Sequence, residues 1–130
     1  MVCNIILYVR DQARSRDFYA LALALAPQLD VPGMTEFGLS AACVLGLMPE
    51  KGIKRLLPGL PDPAAAAGIP RAEVYLTVPD PAAFHARALA AGALELSPLA
   101  PRGWGHEAAY SLDPDGHVLA FARPAAERVK

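Results

Sequence analysis

The 130-residue sequence has few cysteines, few aromatic residues and no excess of charge of either sign. Cys3 and Cys43 are its only cysteines and form no CxxC pair, so we expect reduced thiols and a cytoplasmic protein. A formal net charge of −1 gives no support for a nucleic-acid partner, which would need clustered lysine and arginine. We find no secretory signal pattern and no apolar run near the roughly 18 residues of a membrane span, so we expect no membrane partner.

Motifs of nucleophilic, phosphate-binding and calcium-binding sites are also missing. No Ser-His-Asp arrangement can be inferred, and residues 103–105 (GWG) lack the following helix of a phosphate-binding loop. Asp113 and Asp115 lack the later ligands of a calcium loop, so we interpret them as turn formers. The basic cluster at residues 51–55 is interpreted as a solvated loop.

The sequence does contain one pattern that occurs twice. Residues 4–11 and 73–80 each read as a strand that ends in an aspartate suited to cap a helix, Asp11 and Asp80. Apolar spacing predicts a helix after each aspartate. The predicted packing faces are Phe18, Leu21, Ala22 and Leu25 in the first helix, and Phe84, Arg87, Ala88 and Ala91 in the second.

Similar apolar strands close the two copies, at residues 44–49 and 118–124. A segment rich in proline, alanine and glycine separates them. We therefore predict a single domain of residues 1–130, made of a module at 1–50, a connector at 51–69 and a second module at 70–124.

Strand alternation gives each predicted strand an aliphatic face and a mixed face. Leu45, Leu47, Leu119 and Phe121 belong to the aliphatic faces, which we expect to pack on the helices. The mixed faces contain small or flexible residues, and small residues leave volume. They are Asn4, Ile6, Tyr8, Val44, Gly46 and Met48 in the first half, and Glu73, Tyr75, Thr77, Val118, Ala120 and Ala122 in the second. The pattern predicts a cavity rimmed by Asn4, Tyr8, Glu73 and Tyr75.

Several motifs in this order resemble one family. Each half opens with a V-x-D strand, Phe-Tyr at 18–19 lies in the first helix, Trp104-Gly105 precedes a strand, and the turn DPDG at 113–116 precedes the last one. Over residues 3–123 the sequence resembles the vicinal oxygen chelate superfamily, which includes glyoxalase I, extradiol dioxygenases, and fosfomycin and bleomycin resistance proteins. The resemblance implies an α+β fold, in which two βαβββ modules form a cupped mixed sheet, and commonly a homodimer.

Catalytic members of that superfamily hold a divalent metal ion in the cup. The resemblance places Asn4, Gly46, Glu73 and Ala120 at the positions of its usual His and Glu ligands. Gly46 and Ala120 have no ligating side chain, and one carboxylate with one amide is too few for a tight site. We therefore expect no metal, no cofactor and no metal-dependent enzyme.

The remaining candidates are three histidines and the single tryptophan. His85 is expected in solvent on its helix, and His117 is expected to be an ordinary residue after a turn. His106 follows Trp104-Gly105 and could lie at the mouth of the cup beside Glu107, where it would bind ligand or transfer a proton. Trp104 is either a core residue or a stacking platform for a ligand, and the sequence leaves both open.

We favour a metal-independent protein that binds a small molecule, of the bleomycin resistance kind, with antibiotic sequestration as one option. The candidate ligand-binding residues are Asn4, Tyr8, Met48, Glu73, Tyr75 and Trp104. The alternative is a diverged glyoxalase-like lyase or dioxygenase with Glu73 as general base, and with His106, Tyr8 or Tyr75 as proton donor. A third hypothesis is a dimeric scaffold whose cup is filled by its own side chains.

Overall fold

The computed structural model describes residues 1–126 as eight strands, three α-helices and one turn of 3-10 helix. The elements of the first half are β1 Cys3–Val9, α1 Gln12–Leu23, β2 Leu29–Val31, β3 Met34–Ser40 and β4 Cys43–Pro49. After them come α2 Glu50–Leu56 and the 3-10 turn Pro63–Ala66. The second half contains β5 Glu73–Thr77, α3 Pro81–Ala90, β6 Leu94–Pro101, β7 His106–Leu112 and β8 Val118–Pro124. Within residues 1–126, none of the helices has the length and apolar character needed to cross a membrane.

The strands form two four-stranded mixed sheets, in the orders β1-β4-β3-β2 and β5-β8-β7-β6. In each sheet the first and last strands of a half are parallel neighbours, and the remaining pairs are antiparallel. The predicted α+β fold of two βαβββ modules is confirmed.

Both long helices begin where the sequence predicts. The side chain of Asp11 accepts a hydrogen bond from the backbone N–H of Arg14, and that of Asp80 accepts one from Ala83. These bonds satisfy a backbone donor that has no partner within the helix. Helix α1 ends earlier than Pro27, because Ala24 adopts a left-handed conformation with φ of 54°.

The packing face predicted for α1 is wrong in part. Leu21 and Leu25 are exposed. The buried residues of the helix are Ser15, Phe18, Tyr19, Ala22 and Leu23. The hydroxyl of Ser15 is satisfied by a hydrogen bond to Asp115, so a polar residue occupies the buried face and shifts it away from Leu21.

The core lies between the sheets and the two long helices. The aliphatic faces pack as predicted: Leu45 and Leu47 of β4, and Leu119 and Phe121 of β8, are buried in one cluster. Helix α1 contacts β3 and β4, α3 contacts β6, β7 and β8, and the two helices contact each other. The mixed faces of both sheets therefore turn away from this core.

The turn between β7 and β8 is held by its own aspartate, which confirms the interpretation of Asp113 as a turn former. One carboxylate oxygen of Asp113 accepts hydrogen bonds from the backbone N–H groups of Asp115 and His117, both at 2.9 Å. Gly116 has φ of 85°, and an added Cβ would lie 3.0 Å from the carbonyl oxygen of Gly68. Only glycine fits this turn without strain.

The same turn also joins the two modules. Asp115 accepts hydrogen bonds from the backbone N–H of Arg10 at 2.9 Å, from Arg10 Nε at 3.2 Å and from the hydroxyl of Ser15 at 3.0 Å. The hydroxyl of Tyr19 donates to the second oxygen of Asp113 at 2.6 Å. Burial, followed by the charge of Asp113, raises the pKa of Tyr19 well above its ordinary value.

His117 is not the ordinary turn residue that the sequence predicts. It is buried, and its Nε2 lies 3.1 Å from the carbonyl oxygen of Tyr8 in the other module. The same nitrogen lies 3.3 Å from Nη2 of Arg71, and since a carbonyl oxygen only accepts and a guanidinium only donates, the tautomer of His117 decides which of the two contacts is a hydrogen bond. The end of β1 is thereby fixed beside the start of β8.

Candidate functional site

The mixed face of the second sheet carries a row of aromatic side chains around Ala120. Tyr75 of β5 and Tyr110 of β7 are the direct neighbours of Ala120 in the two adjacent strands. Register partners share a face, so both rings flank an alanine that is itself fully buried. A larger residue at position 120 would occupy the space between the two tyrosines.

Three side chains on this face form a hydrogen-bonded chain. The indole Nε1–H of Trp104 donates to the hydroxyl oxygen of Tyr75 at 3.0 Å, and that oxygen lies 2.7 Å from Nδ1 of His106. An indole nitrogen only donates, so the Tyr75 oxygen accepts from Trp104, and the tautomer of His106 decides which partner donates in the contact between the hydroxyl and Nδ1. The rings of Tyr75 and His106 are also stacked, with centroids 5.9 Å apart.

Tyr110 extends the same face and has a cation beside it. The guanidinium carbon of Arg102 lies 5.0 Å from the centre of the Tyr110 ring, within the range of a cation–π contact. Burial raises the pKa of Tyr110, and the negative charge of Glu73 raises it further. We call Tyr75, Trp104, His106 and Tyr110, with Ala120 between them, the aromatic face.

The mixed face of the first sheet has a different chemistry. An added Cβ on Gly46 would lie 3.1 Å from Cγ1 of Ile6 and 3.2 Å from Sδ of Met34. These two apolar side chains therefore cover the position of Gly46. Asn4 at the start of β1 donates its side-chain amide to Glu36 at 3.4 Å.

The sequence also matches the model of a protein family. The model of the Glyoxalase/Bleomycin resistance protein/Dioxygenase superfamily matches residues 3–121. The chain belongs to this superfamily. The predicted family resemblance is confirmed.

Several solved structures have the same fold as this chain. A glyoxalase-related enzyme from Fulvimarina pelagi is 24% identical with a TM-score of 0.80, over 95% of this chain and 87% of that chain. A glyoxalase/bleomycin resistance protein/dioxygenase from Nocardioides is 19% identical with a TM-score of 0.77, over 100% of this chain and 89% of that one. TioX from Micromonospora sp. ML1 is 21% identical with a TM-score of 0.70, over 95% and 98%. No curated protein matches the sequence.

The residues at the superfamily's metal positions do not fit a metal ion. Gly46 and Ala120 have no side-chain ligand atoms, and Asn4 offers only one neutral amide oxygen, since its NH2 group donates to Glu36. Glu73 is then the single carboxylate, whereas zinc sites use three or four protein ligands. Across residues 1–126, no three His, Cys, Asp or Glu side chains are grouped so that they could hold a metal ion.

The structure divides the candidate ligand-binding residues of this superfamily member into two groups. Asn4, Tyr8 and Met48 lie on the first sheet, whereas Glu73, Tyr75 and Trp104 belong to the second module. In the part of the chain that the structure describes, no hydrogen bond joins the two groups.

The contact of Tyr8 with His117 brings the end of β1 beside the second module, and Asn4 lies four residues back along the strand. At the usual strand rise, Asn4 is about 13 Å from Tyr8 along β1. The rim predicted from Asn4, Tyr8, Glu73 and Tyr75 stays a prediction.

One open question is answered and two interpretations need correction. Of the two alternatives for Trp104, the core residue is excluded, because Trp104 is 59% exposed. His85 is buried rather than solvated, and its Nε2 lies 2.8 Å from a carboxylate oxygen of Glu95. Glu107 does not lie beside His106 on the aromatic face: the two are consecutive in β7, so they point to opposite faces, and Glu107 pairs with Arg123.

The sequence analysis missed Tyr110 and Arg102 as members of the site. Tyr110 could have been found by alternation, because it lies four residues after His106 in the same strand and so shares its face. Arg102 gives no such signal. It is fixed by hydrogen bonds to the carbonyl oxygen of Ala108 and the hydroxyl of Ser97, which depend on the geometry of the β6–β7 connection.

Proposed function

We propose that the protein binds a small, partly apolar organic molecule on the aromatic face, without a metal ion. The observation that supports this is the hydrogen-bonded chain of Trp104, Tyr75 and His106. It holds three flat side chains in fixed positions, and binding sites for small molecules combine such apolar walls with a few oriented polar groups.

The ligand expected here has a flat apolar part and at least one polar group. The exposed indole of Trp104 offers a surface for stacking, and Arg102 and Glu73 place one charge of each sign near Tyr110. A single carboxylate gives little attraction for a strongly cationic drug. Antibiotics are therefore one class of ligand among several, and antibiotic sequestration is one possible role of the binding.

We further propose that a homodimer completes the site. The mixed face of the first sheet exposes Ile6, Leu29 and Val31, beside Tyr8 and Met48. An exposed apolar strip of this kind is a surface that a second copy can cover. In such a dimer, the first sheet of one copy supplies Asn4, Tyr8 and Met48 as a second wall for the ligand.

We also propose that the protein is cytoplasmic and that its partner is not a nucleic acid. A cytoplasmic protein agrees with Cys3 and Cys43 as free thiols. A formal net charge of −1 agrees with a partner other than nucleic acid.

A second candidate function is proton transfer by a diverged lyase, and the contact between Tyr75 and His106 favours it. A phenol hydrogen-bonded to imidazole can pass a proton in either direction, and Glu73 on the same strand could act as general base. Turnover of a bound molecule that is lost in both Glu73→Gln and Tyr75→Phe would favour this function over binding alone.

Ligand binding can be tested with the protein's own fluorescence, because Trp104 is its single tryptophan. A library of aromatic and heteroaromatic fragments is titrated, and hits are verified by calorimetry. We expect Tyr75→Phe, and Trp104→Ala in the calorimetric assay, to weaken each hit at least about tenfold, or 1.4 kcal/mol. Leu21→Ala, at an exposed position on α1, is the control. Unchanged affinities in both variants, or no hit at all, would count against the proposal and favour a scaffold.

A further inference from the structure

A cavity of about 560 Å³ lies between α2 and the connector, apart from the aromatic face. Arg10, which directly follows β1, and Glu50, which directly follows β4, both line it. The two strands are parallel neighbours, so the cavity opens beyond their carboxyl ends. In sheets with parallel strands this is where ligands commonly bind. Its volume is in the range of small-molecule sites.

The lining of the cavity is positively charged. Four of its residues are cations, Arg10, Lys51, Lys54 and Arg55, against the carboxylates Glu50 and Asp62. Arg10 is engaged with Asp115, whereas neither Lys51 nor Arg55 forms an ion pair with any residue of 1–126. In a protein with a formal net charge of −1, this local excess favours an anion.

Glu50 gives a second, independent indication of a ligand. Glu50 is one of the residues that line the cavity, it is only 5% exposed, and its buried Oε1 has no hydrogen-bond partner among the described residues. A buried carboxylate oxygen without a donor is costly. A ligand that brings a hydroxyl or amino group to this oxygen would remove that cost.

The walls of the cavity are fixed in place without a ligand. The ammonium group of Lys54 donates to the carbonyl oxygens of Pro58 and Leu60, which ties the connector to α2. Arg71 donates to the carbonyl oxygens of Pro63 and Ala66, which fixes the 3-10 turn. A site whose walls are already ordered loses little conformational entropy on binding.

We propose that this cavity is a second binding site, for a small organic anion that also carries a hydroxyl or amino group. The anionic group lies against Lys51 and Arg55, and the donor group reaches Oε1 of Glu50. The basic cluster at residues 51–55 is then part of a binding site on α2 and not a solvated loop. This proposal does not depend on the aromatic face.

Three probes separate the two parts of the recognition. Glycerol 3-phosphate carries both an anion and hydroxyl donors, inorganic phosphate carries only the anion, and glycerol carries only donors. In calorimetric or NMR titrations at low salt, we expect glycerol 3-phosphate to bind at least about tenfold more tightly than phosphate, and glycerol not to bind. No binding of glycerol 3-phosphate at millimolar concentration would overturn the proposal, as would equal affinities for it and phosphate.

Variants assign the binding to this cavity. The double variant Lys51→Ser with Arg55→Ser changes exposed side chains and should weaken glycerol 3-phosphate at least about tenfold, whereas Arg14→Ser, an exposed cation on α1, should not. Glu50→Gln should reduce the preference for glycerol 3-phosphate over phosphate. Glu50 is buried, so its substitution can prevent folding. In that case the double variant alone decides the test, because it changes only exposed side chains. Unchanged binding in the double variant, or loss of binding in Trp104→Ala, would place the anion elsewhere and refute the proposal.

Discussion

The hydroxyl of Ser15 donates a hydrogen bond at 3.0 Å to the carboxylate of Asp115, 100 positions later in the sequence. Both side chains are buried, and the bond joins the first helix to the turn between the last two strands. Tyr19 makes a parallel bond to Asp113 one helical turn further on. The two modules are therefore held together by oriented polar contacts as well as by the shared apolar core.

Removal of the Asp115 carboxylate should destabilise the whole protein. Asp115 is 1% exposed and its partner Arg10 is 45% exposed, so Asp115→Ala leaves a buried hydroxyl and a backbone N–H without an acceptor. We expect a loss of about 2 to 3 kcal/mol in the free energy of unfolding, measured by denaturant titration. The control is Asp17→Ala, which removes an exposed partner of Arg16 and should cost less than about 0.5 kcal/mol. Equal effects of the two substitutions would contradict this assignment.

The buried phenol of Tyr19 should make stability fall at alkaline pH. Its folded-state pKa is raised, so its contribution is complete below the unfolded value of about 10 and is lost as the pH rises above it. The wild type should therefore lose about 1.4 kcal/mol more per pH unit above pH 10 than Tyr19→Phe does. At pH 8 the variant should be the less stable of the two, because it leaves the second carboxylate oxygen of Asp113 without the Tyr19 donor. Parallel stability curves for the two proteins above pH 10 would contradict the prediction.

The fold could be predicted from the sequence because its determinants are local. Caps at Asp11 and Asp80 and the alternation that buries Leu45 and Phe121 each involve residues close together in sequence. The matched halves then fixed the number and order of the modules.

Residues that connect the modules could not be predicted in the same way. Ser15 and His117 are polar and look like surface residues until their partners are known, and those partners are about a hundred positions away. Most residues of the aromatic face could be predicted from the sequence, since Tyr75, Trp104 and His106 were candidates. The hydrogen bonds that order the face could not be predicted.

Mild oxidation should join the two cysteines within one chain. Cys3 and Cys43 are direct register partners in the parallel strands β1 and β4, and neighbouring strands are about 4.8 Å apart, within the Cα range of disulfides. Treatment with diamide, which accepts one hydrogen from each thiol, should give a monomeric product that has lost two hydrogens, detected by intact mass spectrometry. Cys43→Ser should show no such product. Only intermolecular disulfides in the wild type would rule out this pairing.

A side chain at position 46 should be tolerated poorly. An added Cβ would press on Ile6 Cγ1 and Met34 Sδ, so Gly46→Ala should lower the free energy of unfolding by about 1 kcal/mol. Alanine has no Cγ1, so Gly46→Ala should cost less in an Ile6→Ala background than in the wild type. Gly59→Ala is the matched control, because no atom lies within 4 Å of its added Cβ, and it should be neutral or slightly stabilising. A neutral Gly46→Ala would show that the apolar cover over this position is loose.

The last prediction is that the purified, untagged protein retains far less than one equivalent of metal after dialysis. At the four superfamily positions only Glu73 offers a carboxylate, since Gly46 and Ala120 offer no side-chain ligand atom and Asn4 offers one neutral amide oxygen. Zinc and nickel favour imidazole ligands, so one carboxylate would leave most coordination positions to water. Elemental analysis measures the retained metal directly.

Stability measurements test the same prediction without relying on what survives purification. A ligand that binds only the folded state at 100 times its Kd raises the free energy of unfolding by about 2.7 kcal/mol. We expect zinc, nickel or manganese at 100 µM (roughly 100 times a Kd of 1 µM) to give no such increase, and Glu73→Gln to respond in the same way as the wild type. An increase of that size in the wild type that disappears in Glu73→Gln would establish a metal site at the start of β5. The site would then need further ligands besides these four positions, for example from a second copy of the chain. Metal-dependent catalysis would become the leading hypothesis.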